Sequence, residues 1–274
     1  MKRWIFKYRI EEVAPYIDWS YLLHAWGLTG KADAKDAVAD VIKEAKAMLA
    51  ETGGLECCHA VFALCEARGC GDDIIIEGKR IPLLRQQHNR PGEPNLCLSD
   101  FVSPHGDHAG LFATAVSDAF VAGYSDDAYM HLLAQTLADR LAEATATYMH
   151  MQVRTDKELW GYAPDERLSV EELNAEKYQG IRPAVGYPSL PDQSIIFAID
   201  ELLRLTDAGI ELTGNGAMRP HAAVCGMMIK HPAARYFNIG EISEEQCTDY
   251  AKRRGVPADE IRKFLSKNIH KRDA

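Results

Sequence analysis

Ile74-Ile75-Ile76-Glu77-Gly78-Lys79-Arg80-Ile81-Pro82-Leu83-Leu84 sets two short apolar runs on either side of a glycine-containing turn, the sequence form of a β-hairpin. Working outward, Leu96–Val102, Leu111–Val116, Ala222–Ile229 and Tyr236–Ile239 are further runs of strand length. The runs follow one another without a helix between each pair. Parallel neighbours need a long crossover and antiparallel neighbours do not, so the sheet is expected to be largely antiparallel and the fold class α+β.

Helix signals lie before, between and after these runs. Asp33 is placed to N-cap a helix with Val38, Val41, Ile42, Ala45 and Leu49 on its apolar side, stopping at Gly53-Gly54. A longer helix begins near Ser125-Asp126-Asp127 and puts Leu132, Leu133, Leu137, Leu141, Ala144 and Tyr148 on its buried side. Ser169-Val170-Glu171-Glu172 and Ser243-Glu244-Glu245-Gln246 are capping-box patterns. Pro191 is read as opening a helix that runs to Leu203 with Gly209 as its stop, and Pro257 as opening the last one. The strongest loop signal, Asn89–Asn95, is too short for a domain boundary, and no repeat or linker appears. The chain is read as a single domain over 1–274, with its core at about 10–265.

The chain has 274 residues, 47% hydrophobic and 26% charged, enough for one sizeable core. That composition excludes disorder, collagen-like repeats and coiled coil. A net charge of −9 argues against nucleic acid or an anionic membrane surface as the main partner. No uncharged run approaches the roughly 20 residues of a membrane span, and the N-terminal Met1-Lys2-Arg3-Trp4-Ile5-Phe6-Lys7 has no signal-peptide pattern. The seven cysteines are odd in number and outside any small-domain framework, so they read as free thiols in a reducing, cytoplasmic compartment. Cys57, Cys58, Cys65 and Cys70 with His59 lack the C-x₂-C spacing of a zinc site, and His105 with His108 lacks a third ligand; no metal is expected.

Catalytic signatures are missing: no G-x-G-x-x-G after a strand, Walker A, G-x-S-x-G or H-E-x-x-H occurs, and Gly214-Asn215-Gly216 reads as a turn. Three features remain, each with a plain alternative. Gly180-Ile181-Arg182-Pro183-Ala184-Val185-Gly186-Tyr187-Pro188 is a stiffened, extended segment whose backbone suits a heterocycle and whose Arg182 suits a carboxylate, or it is an ordinary loop with a surface arginine. Thr136, Asp139, Glu143, Ala146 and His150 fall on one helix face, which either meets a cation or a partner's imidazole or is simply solvated. Asp18, in Tyr16-Ile17-Asp18-Trp19-Ser20-Tyr21, either pairs with an ammonium in a partly dry site or N-caps a helix.

Other stretches join these three. Leu96-Cys97-Leu98-Ser99-Asp100-Phe101-Val102 and Leu137-Ala138-Asp139-Arg140-Leu141-Ala142-Glu143-Ala144 are followed by Leu159-Trp160-Gly161-Tyr162-Ala163-Pro164-Asp165-Glu166. Glu176-Lys177-Tyr178-Gln179 then runs into Gly180–Pro188, and His231-Pro232, Tyr236 and Asp249-Tyr250-Ala251-Lys252-Arg253-Arg254-Gly255 come later. In this order, from about Ile10 to Leu265, they resemble the activation (reactivation) domain of cobalamin-dependent methionine synthase. The resemblance implies a C-shaped α+β unit around a bent, mainly antiparallel sheet flanked by helices, with S-adenosylmethionine in a shallow groove. It implies that Asp18 holds the ligand's ammonium, Arg182 its carboxylate, and the Arg182–Ala184 backbone its adenine end. Tyr187, Tyr236 and Phe237 would line the groove; Glu143 and Glu176 match acidic positions of the family's site, and Asp139 with Glu143 would face the corrinoid.

The implied reaction is reductive methylation: cob(II)alamin takes one electron from a flavodoxin-like donor and a methyl from S-adenosylmethionine, with positioning alone asked of the protein. As a free-standing chain it would meet a cobalamin-binding methionine synthase module in trans, as an accessory subunit rather than an enzyme by itself. The alternatives are another corrinoid methyltransferase as partner, a non-catalytic S-adenosylmethionine-binding module, or a purely structural chain. Leu190, Gln193 and Arg219-Pro220-His221 depart from the family's pattern and are expected near the corrinoid-facing surface.

Overall fold

Alternate side chains of one long strand feed two separate cores. The computed structural model describes residues 1–28, 35–89 and 91–269. Its strands are β1 (Lys2–Tyr8), β2 (Cys58–Cys70), β3 (Asp73–Ile76), β4 (Lys79–Pro82), β5 (Asp107–Val116), β6 (Glu211–Leu212), β7 (Met218–Arg219) and β8 (Ala223–Met228). Its helices are α1 (Ile10–Val13), α2 (Trp19–Ala25), α3 (Lys35–Thr52), α4 (Asp118–Ala122), α5 (Ala128–Thr155), α6 (Val170–Asn174), α7 (Ile195–Leu203), α8 (Glu244–Arg254) and α9 (Ala258–Phe264).

The main sheet runs β4-β3-β2-β5-β8, every pair antiparallel. β1 pairs with Cys58–Leu64 of β2, and β3 takes over from Ala67 on the same edge. One strand thus carries two successive partners, which bends the sheet and gives the C-shaped α+β domain expected. Cys58, Ala60 and Phe62 point to a core shared with α1, α3 and α5; Val61, Ala63 and Cys65 point to one shared with α7. A third, smaller cluster packs α8 and α9 against Leu84, Ile239 and Ile242.

The hairpin is β3–β4, with Glu77 and Gly78 both at positive φ (48° and 78°), the signature of a tight two-residue turn. The expected strand at Leu96–Val102 is instead a short 3₁₀ turn over Leu98–Phe101, because the Asp100 carboxylate accepts from the Cys97 N–H at 2.8 Å and curls the chain. Tyr236–Ile239 joins no sheet either. Its backbone is taken by the Ser189 hydroxyl at Phe237, by Gln86 at the Asn238 carbonyl and by the Pro188 carbonyl at Ile239.

Helix boundaries shift for local reasons. α5 starts where expected, with Asp127 as its N-cap, but Leu132 is 53% exposed rather than buried. α7 begins at Ile195, not Pro191, and ends at Arg204 in the left-handed conformation, while Gly209 closes a following 3₁₀ turn. Ser243 caps α8, yet Gln246 does not return the bond; its side-chain oxygen accepts from the Arg85 N–H. Asp33 lies outside the described residues. All seven cysteines are free, and among the described residues no cluster of metal-ligating side chains forms and no helix is long and apolar enough to cross a membrane.

Candidate functional site

β8 is an edge strand of the main sheet, and the extended segment 181–185 lies along it. Ile181 exchanges both backbone hydrogen bonds with Ile229; the Pro183 carbonyl accepts from Met227, and the Val185 N–H donates to Cys225. By the alternation of an antiparallel pair, the backbone groups of Arg182 and Ala184 point the other way. The Arg182 N–H there donates to the Tyr236 hydroxyl at 2.9 Å. Glycine is required opposite: a Cβ on Gly226 would lie 2.2 Å from the Pro183 carbonyl oxygen.

On that outward side opens a cavity of about 580 Å³, within the size range of small-molecule sites. Asp18, Glu143, Glu176, Arg182, Ala184, Tyr187, Tyr236 and Phe237, all named from the sequence, line it. Five stretches of the chain converge here: the start of α2, the middle of α5, the turn after α6, the segment along β8, and Tyr236 with Phe237 beyond β8.

Each side chain is held by its own element. Asp18 is the N-cap of α2, and its Oδ1 accepts from both the Ser20 N–H (2.9 Å) and the Ser20 hydroxyl (2.6 Å). Capping and lining are therefore one placement, because both bonds fall on a single carboxylate oxygen. The Arg182 guanidinium is only 16% exposed; Nη2 donates to the Thr147 hydroxyl at 2.9 Å, Nη1 lies 3.5 Å from Glu143, and Nε is buried without a partner. The Tyr187 hydroxyl donates to Glu143 from the opposite wall. Ser189 ties the 181–190 segment to Phe237, donating to the Phe237 carbonyl and accepting from its N–H.

Burial sets the charges. Desolvation, with the Glu143 carboxylate beside it, pushes the Tyr187 hydroxyl above its ordinary range, so it stays protonated. Desolvation also raises Glu176, with Arg182 opposing that shift. Glu176 has φ 55°, a left-handed conformation unusual for a side-chain-bearing residue and frequent at functional turns.

The polar stripe on α5 does not stay at the surface. Asp139 is outside the cavity lining, half exposed, its Oδ1 3.8 Å from the exposed His221. Glu143 is on the cavity wall, and Ala146 and His150 are completely buried. Burial raises the Asp139 carboxyl, with His221 and Arg140 opposing and Glu143 reinforcing. Of the departures from the family's pattern, Leu190 is 2% exposed, which corrects its expected surface position; Arg219 and His221 are exposed. Gln193 donates to the Gly216 carbonyl at 3.2 Å.

The sequence reading missed Thr147 and Tyr178 as lining residues. Thr147 lies four residues beyond Glu143, so helical spacing offered it as readily as Ala146.

Residues 9–255 match the family model described as "Vitamin B12 dependent methionine synthase, activation domain". The chain belongs to this family. A similar solved structure, "Crystal Structure of the MetH Reactivation Domain bound to AdoHcy", is 35% identical, with a TM-score of 0.90, over 99% of this chain and 91% of that one. The activation-domain architecture therefore extends over nearly the whole chain, including the groove between α5 and the β8-edge segment.

Proposed function

We propose that the groove binds S-adenosylmethionine and that the chain serves as the reactivation unit of a cobalamin-dependent methionine synthase. The observation that carries this reading is the pairing, in one cavity, of a carboxylate with an unused oxygen (Asp18) and a buried guanidinium with an unused N–H (Arg182). A zwitterionic amino-acid tail asks for one group of each sign. A nucleoside asks for a flat, stiff edge with free backbone groups, and among the described residues the Arg182 carbonyl and Ala184 N–H have no protein partner.

When bound, S-adenosylmethionine supplies an electrophilic methyl on a sulfonium for a corrinoid presented by the partner. Asp18 holds the ammonium and Arg182 the carboxylate; Glu143 and Glu176 supply negative charge to the cationic ligand; Tyr187, Tyr236 and Phe237 keep water from the groove. No proton changes place, so positioning and the exclusion of water are what the reaction asks of the protein. Asp139 and Glu143 face the corrinoid. That module is a cobalamin-binding methionine synthase chain met in trans, in the cytoplasm, with a flavodoxin-like electron donor.

Calorimetric titration of S-adenosylmethionine into the protein, with Arg182→Ala as control, tests the reading. Saturable one-site binding that the variant loses supports it; no heat at millimolar ligand refutes it. Mixing the protein with a cobalamin-loaded methionine synthase and a reductant then separates a reactivation unit, which yields methylcobalamin, from a binding module, which does not.

A further inference from the structure

His150 is the one completely buried histidine of the described residues, and it sits behind the groove rather than in it. It lies on the α5 stripe seven residues after Glu143. Its Nε2 shares a 2.9 Å hydrogen bond with the Tyr162 hydroxyl, and its Nδ1 is buried without a partner. Its ring stands edge-on to Tyr178, centroids 5.0 Å apart at 84°. Arg154 also meets that ring: its guanidinium lies 4.6 Å from the Tyr178 centroid and is anchored by Glu166 at 2.6 Å. The Tyr178 hydroxyl meets the Tyr236 hydroxyl at 2.9 Å, and Tyr236 accepts the Arg182 N–H. A continuous path of contacts thus leads from the imidazole to the main chain of Arg182.

We propose that His150 is a positioning residue for the groove: a neutral imidazole that seats Tyr162 and Tyr178 and, through Tyr178 and Tyr236, fixes the Arg182 backbone and aims its guanidinium. The groups facing it are Arg154 on its own helix, Arg182 from the β8-edge segment, and the hydroxyl-bearing rings of Tyr162 and Tyr178. Both charged neighbours are cations, so a proton on the ring would add a third positive charge to a dry cluster whose acids, Glu166 and Glu143, are already engaged. Burial and then those two arginines hold its affinity for a proton well below the ordinary histidine range. A neutral ring that hydrogen-bonds without charge is what this place admits.

The inference rests on the S-adenosylmethionine reading only for its binding readout. In titrations with S-adenosylmethionine, His150→Phe and Tyr178→Phe are each expected to weaken binding about tenfold, the worth of one buried hydrogen bond that aims a ligand group. His150→Gln, which keeps a neutral polar tip within reach of Tyr162, is expected to restore most of the affinity. A drop in melting temperature at unchanged affinity would mean a structural role only and would overturn the proposal. A ligand-free readout separates this claim from the ligand reading. The Arg182 backbone amide resonance should move in His150→Phe and in Tyr178→Phe, and the His150 ring nitrogens should stay in the neutral form as the pH falls from 8 through 6.5. An unmoved Arg182 amide, or a ring that titrates near 6.5, overturns the proposal even if ligand binds; a wild-type protein that binds no S-adenosylmethionine but shows both signals overturns the ligand reading alone.

Discussion

Arg182 is buried with its donors unequally satisfied: Thr147 takes one, Glu143 stands at ion-pair distance from another, and Nε has nothing. A buried donor left unpaired asks for a partner, and a ligand group in the groove beside it would supply one. Arg182→Ala is expected to weaken S-adenosylmethionine binding by about 2–4 kcal/mol, since the ligand carboxylate loses its cationic partner and Glu143 is left facing it; unchanged affinity by calorimetry would remove Arg182 from the site. His150 makes a pH prediction independent of ligand. Its folded pKa is depressed, so below 6.5 the unfolded chain binds a proton that the folded one refuses. Stability contributed by the neutral ring is present above 6.5 and lost as pH falls from there toward the lower folded value, at no more than about 1.4 kcal/mol per pH unit. Urea melts from pH 7.5 to 5 should show His150→Gln with a shallower acid loss than wild type, and parallel curves would show the ring protonates freely in the fold.

At the scale of elements, α5 presents two environments along one face. Glu143 and Thr147 line the cavity while Asp139, one turn earlier, stands outside it beside His221. Asp139→Asn is therefore expected to change S-adenosylmethionine affinity by less than about 0.5 kcal/mol while impairing docking of a cobalamin-loaded partner in a pull-down. Loss of ligand binding would mean the stripe faces the groove one turn sooner than described. This face was legible because helical spacing is, and Asp18, Glu143 and Arg182 could be named because the segments that hold them are distinctive. β1 and β2 were not recognised as strands. β2 feeds cores on both faces, so Ala60–Cys65 form an unbroken apolar run in place of the alternation that marks a half-exposed strand. Leu96–Val102 failed for the opposite reason: its composition suits a strand, and the Asp100 side chain overrode it. The β8 edge offers its own test. Gly226→Ala would drive a methyl into the Pro183 carbonyl and should cost on the order of 1–3 kcal/mol of stability, with loss of ligand affinity as the segment lifts off the strand. A variant as stable and as tight as wild type would show that the segment does not depend on that close approach.

Across the whole molecule, the groove sits where separately built parts meet. α2 and α5 belong to one core, which Ala184 also joins; Ile181, Val185, Leu190 and Phe237 pack on the other, and Ile239 leads from the groove wall into the C-terminal cluster with α8 and α9. Tyr250 of α8 reaches back to the buried Asp192 at 2.6 Å, just after the segment that carries Tyr187. A ligand held as proposed by Asp18 on one side and Arg182 on the other would add a tie between two cores already linked by the sheet and by the Arg182 and Tyr187 contacts with α5. Its binding energy becomes stability of the whole fold, because the unfolded chain has no such pairing. At a concentration one hundred times its dissociation constant, S-adenosylmethionine should add about 2.7 kcal/mol. With the unfolding entropy usual for a chain of 274 residues, that is a rise of about 5 °C in melting temperature. Calorimetry should show the rise in a single sharpened transition for wild type and at most about a third of it for Arg182→Ala. If the ligand instead split the transition in two, stabilising only the part that melts with α5, the groove would belong to one core and the bridging argument would fall.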